Sequence, residues 1–154
     1  MARYLGTVDG KTNALTQRLP VANGVTVTDG DFVYWSSGRI TSATISGALL
    51  VGVCVETATG NSGGTVYSLV IVEPFAKYLV DNDNLVTTFA VTHVGSYFDL
   101  IGATGAQLVD TSSTSASTGQ LYCMGYSPNI DPVRGDTSWG IFVIAEHVFA
   151  NPKQ

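Results

Sequence analysis

Apolar and polar residues alternate along most of this chain, and no stretch sustains a helical period. Val25-Thr26-Val27-Thr28 alternates strictly, Asp29-Gly30 supplies a hairpin turn, and Phe32-Val33-Tyr34-Trp35 reads as the returning strand. Ser36-Ser37-Gly38 turns the chain into Arg39-Ile40-Thr41. Leu49 to Glu56 and Thr65 to Val72 are two apolar strands joined by the turn-forming loop Ala58 to Gly64. Pro74 closes the second, because proline cannot donate to a ladder. Phe75, Tyr78 and Leu79 stand at helical spacing and predict one short helical turn. Thr87 to Val94 predicts a strand with Phe89, Val91 and His93 on one face. Tyr97 to Leu100, Gln107 to Asp110, Gln120 to Tyr126 and Ile141 to Phe149 complete the strands.

Strands this frequent, with short glycine-rich links, predict an all-β fold, a small sandwich or barrel. Residues 1–24 show little alternation and read as an extended N-terminal arm that must dock on something to be ordered. The remainder divides into a first β lobe, 25–83, and a second, 84–154, either as two units or as one compact domain. An internal echo motivates the division. Ser37-Gly38-Arg39-Ile40 leads through a Thr/Ser run and Gly47 to Leu50-Val51-Gly52-Val53-Cys54. Thr104-Gly105-Ala106-Gln107 leads through another such run and Gly119 to Gln120-Leu121-Tyr122-Cys123, at nearly the same interval. Chance similarity of two threonine-rich segments explains the echo equally well, and non-equivalent positions in the fold would dismiss it.

Composition narrows the function classes. The 154 residues suffice for a core without metal or disulfide help. Only 12% are charged, against an average of about 25%. The net charge is -5, and the seven basic residues are scattered from Arg3 to Lys153, which argues against nucleic-acid and anionic-membrane partners. The apolar run Ile45 to Val55 falls far short of the roughly 20 residues of a membrane span. Met1 to Lys11 contains no apolar leader core, so synthesis in a cytosol is expected. Cys54 and Cys123 lie in apolar runs and read as buried free thiols, with a disulfide as the alternative.

No motif carries chemistry. Gly60-Asn61-Ser62-Gly63-Gly64 resembles the nucleophile segment of trypsin-like proteases, but both histidines, His93 and His147, follow Ser62, and a glycine-rich loop explains the segment. His93 with Asp99 and any serine would make a generic triad, which abundant serine renders uninformative. Asp81-Asn82-Asp83-Asn84 lacks the glycine and distal glutamate of a calcium loop and reads as a polar turn. Arg134-Gly135-Asp136 matches an adhesion tripeptide of the kind that recurs by chance. The expectation is therefore no catalytic residue, no metal, no cofactor and no small-molecule substrate.

The order of these elements resembles the head decoration, or capsid cement, proteins of tailed phages. The resemblance rests on alternating Val25 to Thr28, the turn into Phe32-Val33, the small-residue stretch before Gly52-Val53, and the valine-rich strand closed by Pro74. Val94 to Leu100, Gly102 to Asp110 and Trp139 to Phe149 continue it, so that it covers most of 25–149. It implies a non-enzymatic virion protein, made in the host cytoplasm and placed on the outer capsid surface. There homotrimers clamp neighbouring major capsid protein subunits, often through an N-terminal arm. The candidate capsid and subunit contacts are Arg3, Tyr4, Leu5, Lys11 and Arg18 in the arm, with Trp35 and Trp139 as aromatic anchors. A tail, fibre or receptor-recognition β module is the competing reading.

Overall fold

Among the described residues, short β-branched runs punctuated by turn residues fold into thirteen strands. They are β1 (Arg3–Thr7), β2 (Thr16–Pro20), β3 (Thr26–Val27), β4 (Phe32–Ser36), β5 (Arg39–Ser42), β6 (Leu50–Cys54), β7 (Ala58–Thr59), β8 (Tyr67–Ile71), β9 (Ala76–Asp81), β10 (Tyr97–Ile101), β11 (Leu108–Ser115), β12 (Leu121–Tyr126) and β13 (Trp139–Ile144). The computed structural model describes residues 2–43, 48–83, 89–126 and 139–148. A five-stranded sheet has the order β2-β8-β6-β4-β5, a six-stranded sheet the order β1-β9-β13-β12-β10-β11, and β3 and β7 form a two-stranded ribbon. Every pairing between these strands is antiparallel. The described residues form an all-β sandwich.

The two large sheets share one apolar core. Phe32, Leu50, Val53 and Ile71 from the five-stranded sheet meet Tyr78, Phe98, Leu100, Leu121 and Phe142 from the six-stranded sheet. Edge-on ring pairs run through it, with Phe89 and Phe142 centroids 5.4 Å apart and Phe32 and Tyr78 5.5 Å apart. A second core covers the opposite face of the five-stranded sheet, where Val33, Ile40, Val51, Cys54 and Val70 pack with Val21 and Val27. This explains β6, whose five residues are all buried. A strand buried on both faces reads as a continuous apolar run rather than an alternation.

Two buried polar side chains fasten the sheets together. Gln107 Oε1 accepts the Phe32 N–H at 2.6 Å, and its Nε2 lies 2.8 Å from the Ala43 carbonyl, 2.9 Å from Ser42 Oγ and 3.1 Å from the Phe32 carbonyl. The carboxamide thus acts as an extra strand residue along the β4–β5 pair. Asp31 accepts the N–H of Thr28 at 2.9 Å and that of Gly105 at 2.7 Å. Burial raises the Asp31 pKa, and these N–H donors oppose the rise.

The echo segments occupy equivalent positions. In the five-stranded sheet the strands taken in chain order (β2, β4, β5, β6, β8) are arranged first-fifth-fourth-second-third, and β9 to β13 repeat that arrangement. The pairs Val33↔Ser42 and Leu100↔Val109 are separated by one interval, which also separates Tyr34↔Thr41 from Ile101↔Leu108. The same interval separates Gly38 (φ 76°) from Gly105 (φ 75°), both in tight turns that need a left-handed residue. It also separates Gly52 (φ 158°) from Gly119 (φ 155°). Cys54 exchanges ladder bonds with Gly30 and Asp31, and Cys123 does so with Gly95 and Ser96.

Several expectations are corrected. Residues 1–24 are not an arm: β1 pairs with β9 and β2 with β8, so the segment forms one edge of each large sheet. The division at 83/84 does not follow the sheets, because β9 joins the six-stranded sheet. The helical turn at Phe75 to Leu79 is strand β9, with Tyr78 and Val80 turned into the core. Val91–His93 is a single 3₁₀ turn rather than strand, since His93 Nδ1 accepts the Ala90 N–H and the Val94 N–H closes on Val91. The expectation of buried free thiols, by contrast, holds: Cys54 and Cys123 are free and buried, and desolvation pushes the Cys54 thiol up to about 12.

Three outcomes test this packing. Gln107→Leu strands the Phe32 N–H and the Ala43 carbonyl, and chemical denaturation should show a loss of about 3 kcal/mol; a loss under about 0.5 kcal/mol would contradict the fastening role. Gly52→Ala drives a Cβ into the Ile71 carbonyl and should destabilise by a similar amount of about 3 kcal/mol, measured the same way. His147 is fully buried, and desolvation lowers its pKa from 6.5 to about 4. The unfolded chain therefore takes up the proton first. Stability should be complete above about pH 6.5 and fall toward pH 4 by up to about 1.4 kcal/mol per unit. Asp31, with a raised pKa, acts in the opposite sense at the acid end. In a His147→Gln variant the slope between pH 6.5 and 5 should flatten; an unchanged slope assigns it elsewhere.

Candidate interaction surface

Edge strand β1 brings most of the sequence-predicted contacts to one side of the sandwich. Arg3 is exposed, and its guanidinium lies over the Trp139 ring at 5.2 Å from the centroid, a cation–π contact across β1 and β13. Trp139 is itself 7% exposed, so it supports Arg3 from beneath rather than offering a free anchor. Leu5 is 45% exposed. Tyr4 is half-buried and packs edge-on against Tyr78 at 6.3 Å. Its pKa is raised by burial first and by the charges of Glu73 and Asp9 second.

Lys11 belongs to the same region. Thr7 N–H and Oγ1 both donate to the Lys11 carbonyl, closing a small loop, and Lys11 Nζ lies 2.8 Å from Asp9. Hydrogen bonds from Lys11 and Thr7 hold the Asp9 carboxyl down at about 2. Tyr4, Leu5, Lys11 and Lys77 line an open cleft of about 520 Å³ there. Its walls are mixed in character, and it gathers no acid, base and nucleophile together. Arg18 and Trp35 lie elsewhere. Arg18 is exposed on β2 and pairs with Glu56 at 3.1 Å, while Trp35 is half-buried against the second core.

Sequence reasoning missed the exposed apolar residues around the crossover from β8 to β9. Phe75 is 60% exposed, Val8 48% and Leu15 61%. The Val8 N–H donates to the Phe75 carbonyl, and the Val72 N–H donates to the Leu15 carbonyl, so the Val8 and Leu15 backbones flank residues 72–75. Pro74 beside Phe75 was the available signal, since a strand-ending proline makes the next side chain a corner residue.

The motifs weighed for chemistry take structural roles. Ser62 sits in an exposed turn closed by the Asn61 side chain, which accepts the Thr65 N–H at 3.1 Å and donates to Thr65 Oγ1 at 2.9 Å. His93 stacks edge-on between Phe89 and Phe98, and Asp99 pairs across strands with Asp110 on the outer face. Asp81 accepts the Asn82 N–H, and Asp83 accepts from the Thr111 N–H and Oγ1. Among the described residues no three His, Cys, Asp or Glu side chains are grouped to hold a metal. Asn84 and Arg134-Gly135-Asp136 lie outside the described residues. Comparison with protein-family models, curated proteins and solved structures finds no match.

Phe75 is predicted to act at the surface and not in the fold. Phe75→Ser should change the unfolding free energy by under about 0.5 kcal/mol while shortening retention on a hydrophobic-interaction column. A large loss of stability would place the ring in the core instead.

Proposed function

We propose that this chain is a non-enzymatic virion protein that binds the outer surface of a tailed-phage capsid and stabilises the shell by clamping neighbouring major capsid subunits. The observation that carries this reading is the exposure of Leu5, Val8 and Leu15 on an N-terminal segment built into both large sheets, and of Phe75 on the β8–β9 connection bonded to it. Large apolar side chains held exposed on such backbone support an interaction role. A clamp must also transmit load. A contact made here passes into β1 and β9 of one sheet and β2 and β8 of the other through ladder hydrogen bonds, without a flexible linker. Sparse surface charge suits a molecule largely covered by neighbours, and many copies on one shell turn a modest contact into large avidity.

The test is co-sedimentation with expanded capsids that lack decoration, combined with the release temperature of the packaged DNA. Saturable binding at a fixed ratio to capsid subunits and a higher release temperature are expected, and both should be lost in a Val8→Asp, Phe75→Asp variant. Folded protein that fails to bind would sink the proposal and move the weight to receptor recognition.

A further inference from the structure

The first strand of each repeated unit divides its outer edge in the same way. Past the end of β2, Val21 bridges Ile40 of β5, and the Ala22 N–H donates to the Ile40 carbonyl. Past the end of β9, Asn82 bridges Val109 of β11, and the Asp83 N–H donates to the Val109 carbonyl. A single interval separates Val21 from Asn82 and Ala22 from Asp83, and it carries Thr16 to Lys77 and Arg18 to Leu79. Lys77 and Leu79 lie opposite Gly6 and Arg3 of β1, which covers that stretch of β9. Among the described residues no strand covers the matching stretch of β2, whose neighbour in the sheet is β8.

Antiparallel pairing turns the backbone groups of successive residues to opposite sides of a strand. The Val72 N–H bonds to the Leu15 carbonyl and the Val21 N–H to the Val66 carbonyl, so Gln17 and Leu19, in step with Leu15 and Val21, turn their backbone toward β8. Thr16 and Arg18 turn theirs outward, where their N–H and carbonyl groups meet no partner among the described residues. Thr16, Gln17 and Arg18 are all exposed, so neither face of the strand is covered there. Pro20, the next outward residue, has no N–H to offer and ends the open stretch.

We infer that this open stretch of β2 pairs with the same stretch of a second copy of this chain, antiparallel, about a twofold axis at Gln17. Thr16 of each copy then exchanges both backbone bonds with Arg18 of the other, and every outward group of the two residues is satisfied. The repeat shows what the position accepts: at the equivalent edge of β9 it is an antiparallel strand of this same chain, β1. In a second copy, β1 is already engaged with β9, and its other edge folds back on the chain where the Thr7 N–H donates to the Lys11 carbonyl. Strand β2 instead brings the same open groups at the same spacing. Arg18 is paired with Glu56 of its own chain at 3.1 Å, so the approach brings no unpaired charges together. An open edge is a template for pairing with another chain, and a twofold contact satisfies both copies at once.

Amide hydrogen exchange of the full chain, followed by NMR at several protein concentrations, tests this. The Thr16 and Arg18 amides should exchange freely in dilute solution. They should slow by about tenfold or more as the concentration rises, in step with a dimer seen by sedimentation velocity. The Gln17 and Leu19 amides, turned to β8, should be protected throughout. Thr16→Pro removes one outward donor and no bond to β8, as Pro20 does in the native strand, and should weaken the dimer by about tenfold or more. Thr16→Ala keeps the N–H and should leave the dimer unchanged. Thr16 and Arg18 amides that exchange freely at every concentration would overturn the inference, and so would a dimer equally stable in Thr16→Pro. Should Thr16→Pro fail to fold, exchange in the unmodified chain decides. Protection that appears only when capsids are added would give the edge to a capsid segment and overturn the pairing of two copies.

Discussion

The whole molecule depends on one apolar layer pressed between two sheets, and on the Gln107 carboxamide that sets how they meet. Burial of that layer is non-directional and would tolerate sliding of one sheet over the other. The Gln107 contacts do not, because an amide bonded to Phe32 and approaching Ser42 and Ala43 fits one position only. Asp31 adds a second fixed point through Gly105. In a low-dielectric interior such satisfied polar groups specify geometry, and they are costly to break from one side.

The edges follow from the same arrangement. An open antiparallel sheet leaves unpaired backbone at both sides, which invites association unless it is managed. The β5 edge is covered by residues 21–22, where the Val21 bridge to Ile40 and the Ala22 N–H to the Ile40 carbonyl extend the ladder. The β11 edge is covered by residues 82–83, where Asn82 bridges Val109, the Asp83 N–H donates to the Val109 carbonyl and the Asp83 carboxylate accepts the Thr111 N–H. Strand β1 and the turns beside β2 and β9 carry the exposed apolar residues Leu5, Val8, Leu15 and Phe75. The β5 and β11 edges are thus both covered from within the chain, and the exposed apolar residues of β1 and the neighbouring turns form the surface proposed to bind the shell.

The strands were largely legible because alternation survives wherever one face is wet, as in β10 with Phe98 and Leu100 inward and Asp99 outward. The duplicated connectivity was legible only as a faint echo, since turn glycines kept their spacing while the strands between them changed. The short β1 and β2 hid the built-in nature of residues 1–24: β2 is an edge strand with three consecutive exposed residues, so it shows no alternation. Phe75 to Leu79 misled because three large residues in five mimic a helical stripe when one of them, Phe75, is a corner residue outside the strand. Of the candidate contacts, Trp35 and Trp139 were chosen as large aromatics, and both are held by packing within the chain. Their ring size could not reveal that, because core and interface reward the same side chains.

The most direct measurement is electron cryo-microscopy of expanded capsids incubated with this chain. The account predicts density on the outer surface, with the β1–β2 side and Phe75 turned toward the capsid subunits. Bare capsids at saturating protein, or contact made through the β5 and β11 side, would contradict it.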